Sequence, residues 1–521
     1  MTADTLLQSL RSALGPNAVR TDVAALDMAA NDLHISAARP LAVVRPVDSA
    51  GVAAAVAAAI SLGYAVLPRG GGLSYTGGYS PPSSRSITVD MSGMNRILAI
   101  AESDMTITVQ AGVTWKQIYE ALKPRGLRLP FIGTFSGAGA TVGGGLGHGA
   151  LFFGSARYGS AAEIVLGLEV ALADGTLLRT GQGALAAGSK PFLRTFGPDL
   201  TGLFTHDGGM FGIKTEASFR LIRTPAEQGY ASFVFAGIEA AADALSEIAR
   251  ADLSEEVYIL DPNAASAIPK DIGTVARVAK SVIRDTRGLR QAMKALYSVA
   301  KGGNRLIPEG HYSLHVAAAG RYLAAVNCDL AEARRIATGY GGTAIASTIP
   351  RVARAEIFAN LNGVLGPQGR WAALNAKVAH SDARELIAAY DAMLSPHLPA
   401  MAAHGVTCTR LVSALGNHCF SFEPVLHWQD SWLPLQYQAP EPRHIATYSA
   451  PSENPEARAL VNVLRRETVE LFRTMGAASN QIGRVYPFRE ALSPAYRELL
   501  ERMKRSLDPE GLMNPGVLGF A

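Results

Sequence analysis

Apolar and polar positions change period repeatedly along the chain. The opening MTADTLLQSLRSALG reads as a short amphipathic helix, without the apolar core and cleavage site of a signal peptide. From Ala42, short apolar runs alternate with stretches of helical period. VVRP predicts a strand, Asp48 to Leu62 a helix capped by Gly63, and YAVLP a strand that runs into a glycine-rich loop. SITVDM and DMTITVQAG predict further strands, and TWKQIYEALKPRG a helix opened by Thr114. VLGLEVALA and TLLRTG flank Asp174-Gly175, a hairpin signal, and Ile213 to Ile222 reads as another strand. Past Arg223 the glycines thin out. ASFVFAG, a helical stretch to Leu253 and EVYILDP predict an antiparallel α+β unit. RWAALNAKVAH and DARELIAAYDAML predict a strand then a helix, and VTCTRLVSAL with NHCFSFEPVLHW a second hairpin. Two helices follow, Asn454 to Met475 and Ser493 to Leu507, the latter with Ser493 as cap and Pro494 as first residue.

Composition narrows the class. With 521 residues, the prior of roughly 150 per domain gives two to four domains. The 48 basic and 44 acidic residues leave +4, too mild to argue for nucleic acid or an anionic membrane. Gly51 to Leu67 is uncharged, but it is mostly alanine broken by Ser61 and Gly63, so a buried helix entering a strand explains it better than a membrane span. Cys328, Cys408 and Cys419 lie far apart, which predicts neither a disulfide framework nor a zinc site. A reduced, cytoplasmic protein is expected. Glycine is the outlier: 52 residues, against a usual share of about 7%, bunched between Arg69 and Gly212.

The first glycine segment, PRGGGLSYTGGY (68–79), follows a strand but matches neither the P-loop pattern nor GxGxxG. Its backbone N–H groups are suited to converge on an anion. The second, Gly133 to Ser160, is dominated by glycine and other small residues, which implies backbone lying close against a ligand, or else a tightly turned surface loop.

Taken in order, RGGGLSYTGG, VDMSGMNRI, VQAGVTWKQI, GGGLGHG, EVALADGTLLRTG and FGPDLTGLFTHDGGMFGIKTEA resemble the FAD-binding domain of the vanillyl-alcohol oxidase/p-cresol methylhydroxylase flavoprotein family. The tail LERMKRSLDPEGLMNPGVLGF resembles that family's C-terminal signature. The resemblance implies an α+β fold: an FAD-binding domain of two α+β subdomains (residues 1–225), an antiparallel-sheet cap for the substrate (226–475), and a C-terminal segment returning to the FAD domain (476–521). It implies that FAD is held in the first loop by Pro68, Arg69, Gly70, Gly71, Gly72, Leu73, Ser74, Tyr75 and Gly78. From the second segment come Gly133, Thr134, Gly139, Ala140, Thr141, Gly143, Gly144, Gly147, His148, Gly149, Tyr158, Gly159 and Ser160, with Gly212, Ile213 and Asn514 elsewhere.

The same resemblance shapes the catalytic expectation. Family enzymes transfer a hydride to the flavin while a protein group takes a hydroxyl or phenol proton. Gly72 and Leu73 stand where histidine-linked relatives attach FAD, so His418 remains as the covalent candidate, with catalytic and purely structural roles open beside it. The phenol-oxidising members' Tyr-Gly-Asp is Tyr158-Gly159-Ser160 here, and their Tyr-Arg pair is Asn480-Gln481. Tyr75 matches a phenol-contacting tyrosine. Arg484 and Arg489 are candidates to hold a carboxylate, or else helix-end arginines, and Tyr486 is a candidate proton acceptor or a packing residue. The odd offset from His418 to His427 puts them on opposite faces of a regular strand, but Pro424 is expected to break that regularity, which keeps His427 a candidate; Glu423 is discounted because a lone buried carboxylate is costly. Trp115 and Trp371 read as core, and Asp207 as a residue that touches the flavin edge. The D-lactate and glycolate branch shares GPDLTGLF and DPEGLMNPG but not its metal-binding histidine pattern, so no metal is expected. The expected function is oxidation of a small, aromatic or lignin-type alcohol. The alternatives are a 2-hydroxy acid substrate, or a flavin-binding electron-transfer subunit with no substrate of its own. Oxygen or an electron-acceptor protein would reoxidise the flavin, and a homodimer is the family default.

Overall fold

A computed structural model describes residues 3–188, 190–263, 307–358, 369–437 and 450–520. Three sheets organise these residues, with a two-stranded ladder joining Leu127–Arg128 to Ile222–Arg223. The first sheet runs Val19–Arg20, Ala42–Val44, Ser86–Asp90, Ala65–Arg69, with its last three strands parallel. Parallel strands need covering on their faces. The Asp48-capped helix Ser49–Ser61 and the amphipathic helix Ala3–Leu14 bury Val52, Val56, Leu6 and Leu10 against it. The second sheet is antiparallel: Ile97–Ala101, Thr106–Gln110, Ile213–Arg220, Val165–Ala171, Leu177–Arg179. Helix Trp115–Leu122 packs on it, started by Thr114 and Gln117 in a reciprocal capping box.

The third sheet has eight strands and is antiparallel throughout: Thr343–Ile345, Glu227–Phe235, Tyr312–Gly320, Glu256–Leu260, Thr407–Leu415 and Cys419–Trp428 in order, with Arg370–Ala373 and Ala376–Ala379 sharing the last edge. RWAALNAKVAH is thus two strands, interrupted at Leu374-Asn375. Pro424 does not break its strand. It lies opposite that interruption, where a missing N–H is least felt. Alternate residues separate the two faces of this sheet. Val412, Ala414, Phe420, Phe422, Leu426 and Trp428 pack with helices Ile238–Arg250, Ala383–Leu394 and Pro455–Thr474 in the cap core. The other face covers the glycine-rich domain.

The cap is fastened to the rest by buried contacts. Glu255 is paired with Arg128 and Arg354, and Glu256 accepts from Gly154 N at 2.7 Å and from Arg354 Nη1 at 2.9 Å. The C-terminal segment returns to the first sheet, where Val66 N bonds Leu512 O and Asn514 N bonds Val66 O. Among the described residues no helix is long and apolar enough to cross a membrane.

Candidate active site

Both glycine segments and the free face of the cap sheet enclose one cavity of about 830 Å³. The first loop lines it with Pro68 and Gly70 to Tyr75. The second lines it from Thr134 to Ser136 and along Thr141–Phe152, including the helix Val142–His148 that Thr141 caps. Gly212 and Ile213 complete that end. The helix N-terminus and the loop's backbone N–H groups make a setting suited to phosphate.

Glycine has two distinct roles here. At Gly70 and Gly71 a Cβ would lie 2.2 Å from Thr141 Oγ1 and 2.0 Å from Gly139 O, so these residues let the two loops close on each other. At Gly144 a Cβ would meet only Thr141 Oγ1, at 3.4 Å, and at Gly147 nothing nearer than 3.9 Å. Both line the cavity, and a helical glycine is about 0.5–1 kcal/mol worse than alanine. Keeping them bare clears space for a ligand rather than for neighbouring protein. Arg69 Nε and Nη2 are buried immediately behind the first loop. A glycine-walled cradle and a helix N-terminus, backed by the Arg69 guanidinium that rests on the Tyr79 ring, fit a dinucleotide with a pyrophosphate.

Several expected ligands stand behind the cavity wall instead of on it. Gly78 leaves room for the His148 ring, Gly149 for the His206 ring, and Gly139 O abuts Gly71. Gly133 is extended and bridges to Phe153. Asn514 Nδ2 donates to Gly78 O at 2.7 Å and Gly208 O at 2.6 Å, so it clamps two loops. Tyr158 lies between the Arg128 and Arg220 guanidinium groups, Gly159 forms a turn, and Ser160 caps a helix. His148 does line the cavity. Burial and Lys214 push it down to about 4, so it is a neutral imidazole near pH 7. Asp207 is spent on Lys214, 2.5 Å away, and it is Lys214 that reaches the cavity wall.

The catalytic expectations need more correction. The cap hairpin presents Thr407, Thr409, Leu411 and Ser413 opposite His427, Val425, Glu423 and Ser421, all on the cavity face. His418 occupies the exposed turn, its Nδ1 3.4 Å from Asn417 Oδ1, and is not among the residues that line the cavity. Tyr486 is behind the wall: its hydroxyl accepts from Asn375 N at 2.7 Å and donates to Asn375 O at 3.2 Å, and burial pushes it well up. Arg484 binds Gly77 O, Asn514 Oδ1 and Pro515 O, tying the tail to the first loop. Arg489 pairs with Glu501 under the Phe520 ring, away from the cavity.

Tyr75 keeps its place on the wall. It is buried edge-on against Trp371, with ring centroids 5.0 Å apart, and its hydroxyl bonds the Gln481 side chain. Trp371 lines the cavity while packing against the buried cluster of Leu33, Tyr75, Ala373 and Leu435, and Trp115 likewise serves both roles. Around them lie Glu423, which the sequence reading discounted, His427, which it kept open, and Lys377 and Arg465, which it did not name. Glu423 faces the cavity, pushed up by burial and pulled back by Lys377. Lys377 is buried on the neighbouring strand, with Nζ bonded to Asn375 Oδ1 at 3.1 Å and to Asn480 Oδ1. His427 Nε2 meets Thr409 Oγ1 at 2.9 Å and is pushed down by burial. Arg465 holds Tyr75 O at 2.9 Å. Gln481 adopts φ 54°, a backbone conformation that seldom suits a side-chain-bearing residue, while its N–H bonds His148 O at 2.8 Å. Only strand register could have assembled this group, because Lys377, Glu423 and Asn480 are remote in sequence.

A carboxyl group, an imidazole and two aromatic rings face this cavity, and the comparisons point to its cofactor. Residues 40–181 match the FAD binding domain, and residues 487–518 the C-terminal domain of FAD linked oxidases. The chain thus carries an FAD binding domain and an FAD linked oxidase C-terminal domain. The glycolate oxidase subunit GlcD of Bacillus subtilis is 34% identical over 36% of this chain and 38% of its own. The D-lactate dehydrogenase (cytochrome) 1, mitochondrial, of Saccharomyces cerevisiae is 31% identical over 38% of this chain and 32% of its own. The D-2-hydroxyglutarate dehydrogenase of Stutzerimonas stutzeri is 32% identical over 43% and 47%. The chain therefore aligns with about a third to a half of these relatives' lengths. In fold it is similar to p-cresol methylhydroxylase, with TM-score 0.73 at 19% identity over 99% of this chain and 96% of that one. A 4-ethylphenol oxidase from Gulosibacter chungangensis gives TM-score 0.72 at 19% identity, over 99% and 97%.

Proposed function

We propose that this chain is an FAD-dependent dehydrogenase that oxidises the CH–OH group of a small 2-hydroxy acid. The observation that carries the redox reading is the single cavity joining the glycine walls to Glu423 and His427. FAD would lie along Gly70–Ser74, Thr141–Gly144, His148, Gly212 and Ile213. When bound it accepts the hydride equivalent that leaves the substrate carbon. The chain's own part is to exclude water with the cap sheet, to orient substrate against Tyr75 and Trp371, and to take the hydroxyl proton on a Glu423 carboxylate oxygen. The hydroxy-acid class is supported by the names of the sequence relatives rather than by a carboxylate clamp. Of the lining residues, Lys214 is paired with Asp207, and Arg370 turns its guanidinium to Asp430 and the Trp428 ring on the far face of the sheet.

A second reading, an aromatic alcohol, is favoured by the Tyr75–Trp371 ring pair on the wall. Reoxidation by oxygen or by an electron-carrier protein, and assembly as a homodimer, complete the proposal. Anaerobic mixing of the FAD-loaded protein with D-2-hydroxy acids and with benzylic and phenolic alcohols separates the two readings. Flavin bleaching by the hydroxy acids supports the first reading, and bleaching by the aromatic set alone replaces it with the second. No bleaching at all returns the chain to a flavin-binding electron-transfer subunit.

A further inference from the structure

Lys377 is a buried ammonium that neither cofactor binding nor proton abstraction uses directly. It sits on the strand Ala376–Ala379 opposite Ser421, and Glu423 is two residues further along that partner strand on the same face. Diagonal neighbours of this kind are about 7–8 Å apart at the backbone, within reach of a lysine and a glutamate side chain. Two of its three donor positions are fixed by Asn375 Oδ1 and Asn480 Oδ1, which leaves the third available. Asn375 in turn accepts from Asn480 N at 2.9 Å, so the ammonium is held in one place.

We propose that Lys377 is a positioning residue: its ammonium, pinned by Asn375 and Asn480, supplies the charge that keeps Glu423 a carboxylate inside a dry cavity. The inference rests on the reading of Glu423 as the proton acceptor. Other groups face Glu423 without doing this work. Tyr75 approaches from the first glycine loop and Tyr486 from the C-terminal segment, and both are buried, neutral phenols. His427 lies on the same strand beyond Val425 and is held by Thr409. Arg465 from the helix Pro455–Thr474 spends its guanidinium on Tyr75 O and Ala373 O. Burial lowers Lys377 to about 8, so it is still largely charged at neutral pH, and burial raises Glu423 while Lys377 opposes the rise. The attraction of the Lys377 ammonium thus opposes the rise that burial imposes on Glu423.

Lys377→Met in the FAD-loaded protein should therefore move the acid limb of flavin reduction to higher pH by about one unit, which is tenfold in rate below the limb, with recovery at alkaline pH. Lys377→Arg should restore the limb. In a Glu423→Gln background Lys377→Met should add no further loss. An unshifted limb overturns the proposal, as does an equal Lys377→Met penalty with and without Glu423; a lowered melting temperature beside an unshifted limb would mark Lys377 as structural. Infrared difference titration gives an independent reading: the protonated-carboxyl band lost in Glu423→Gln should persist to higher pH in Lys377→Met. If no alcohol or hydroxy acid bleaches the flavin, the function reading fails, while the infrared titration still decides the role of Lys377.

Discussion

Replacing single glycines by alanine separates the two roles that glycine has in this chain. Gly144 lies in the helix Val142–His148, and an added methyl would meet only Thr141 Oγ1, at 3.4 Å, before entering the cavity. Without ligand, Gly144→Ala should stabilise the protein by about 0.5–1 kcal/mol, the usual helix preference for alanine. With ligand, the methyl overpacks the cradle. A cost of about 1–3 kcal/mol weakens FAD binding roughly 5- to 150-fold. Gly71→Ala should behave oppositely, because its Cβ would be 2.0 Å from Gly139 O and the loops must part. That variant should lose about 1–3 kcal/mol even as apoprotein. Thermal melting of flavin-stripped protein and FAD titration by fluorescence quenching give both numbers for both variants. Unchanged FAD affinity in Gly144→Ala would refute the placement of the cofactor along this helix. A stable Gly71→Ala apoprotein would refute the loop-packing role.

Other outcomes follow from the same geometry. His315 is fully buried between Ser232 Oγ at 2.9 Å and Ser313 Oγ at 3.0 Å, and burial pushes it down to about 3. Because the unfolded chain takes up that proton near pH 6.5 and the folded one does not, stability present above 6.5 is lost on acidification, about 2 kcal/mol by pH 5; His315→Gln should flatten that loss in urea melts at pH 7 and 5, and an unchanged pH dependence would contradict it. Arg354→Met leaves Glu255 and Glu256 short of a buried partner and should cost about 3–5 kcal/mol in chemical denaturation, whereas a loss under 1 kcal/mol would show the cluster to be dispensable. His418→Ala should leave flavin content untouched, with all yellow colour in the supernatant after acid precipitation of either protein; a yellow wild-type pellet that turns white in the variant would reverse the exclusion of His418.

The cofactor half of the molecule is legible in the sequence because it is written locally. Each glycine segment follows a strand, and the helix start at Thr114 and the Asp174-Gly175 turn announce themselves by type. Even there, the glycines do not divide by sequence into those that face ligand and those that face protein, since Gly71 and Gly144 differ only in what lies opposite. The cap chemistry is not local. Glu423 is costly when considered alone, and only the cross-strand register that brings Lys377 beside it removes the objection. The odd offset between His418 and His427 decides nothing, because His418 lies in the turn before the strand; His427 faces the cavity because the strand stays regular where Pro424 falls opposite a gap in its partner. Arg484, Arg489 and Tyr486 are near the tail in sequence, but their donors and acceptors are taken by backbone and by Glu501, which no spacing reveals.

The most direct test of the account is anaerobic stopped-flow reduction of the FAD-loaded protein by a panel of D-2-hydroxy acids, with wild type and Glu423→Gln compared across pH. The account predicts bleaching in wild type with an acid limb, and slow, limb-free bleaching in Glu423→Gln with FAD still bound. Equal rates in the two proteins, or no bleaching by any hydroxy acid, would contradict it.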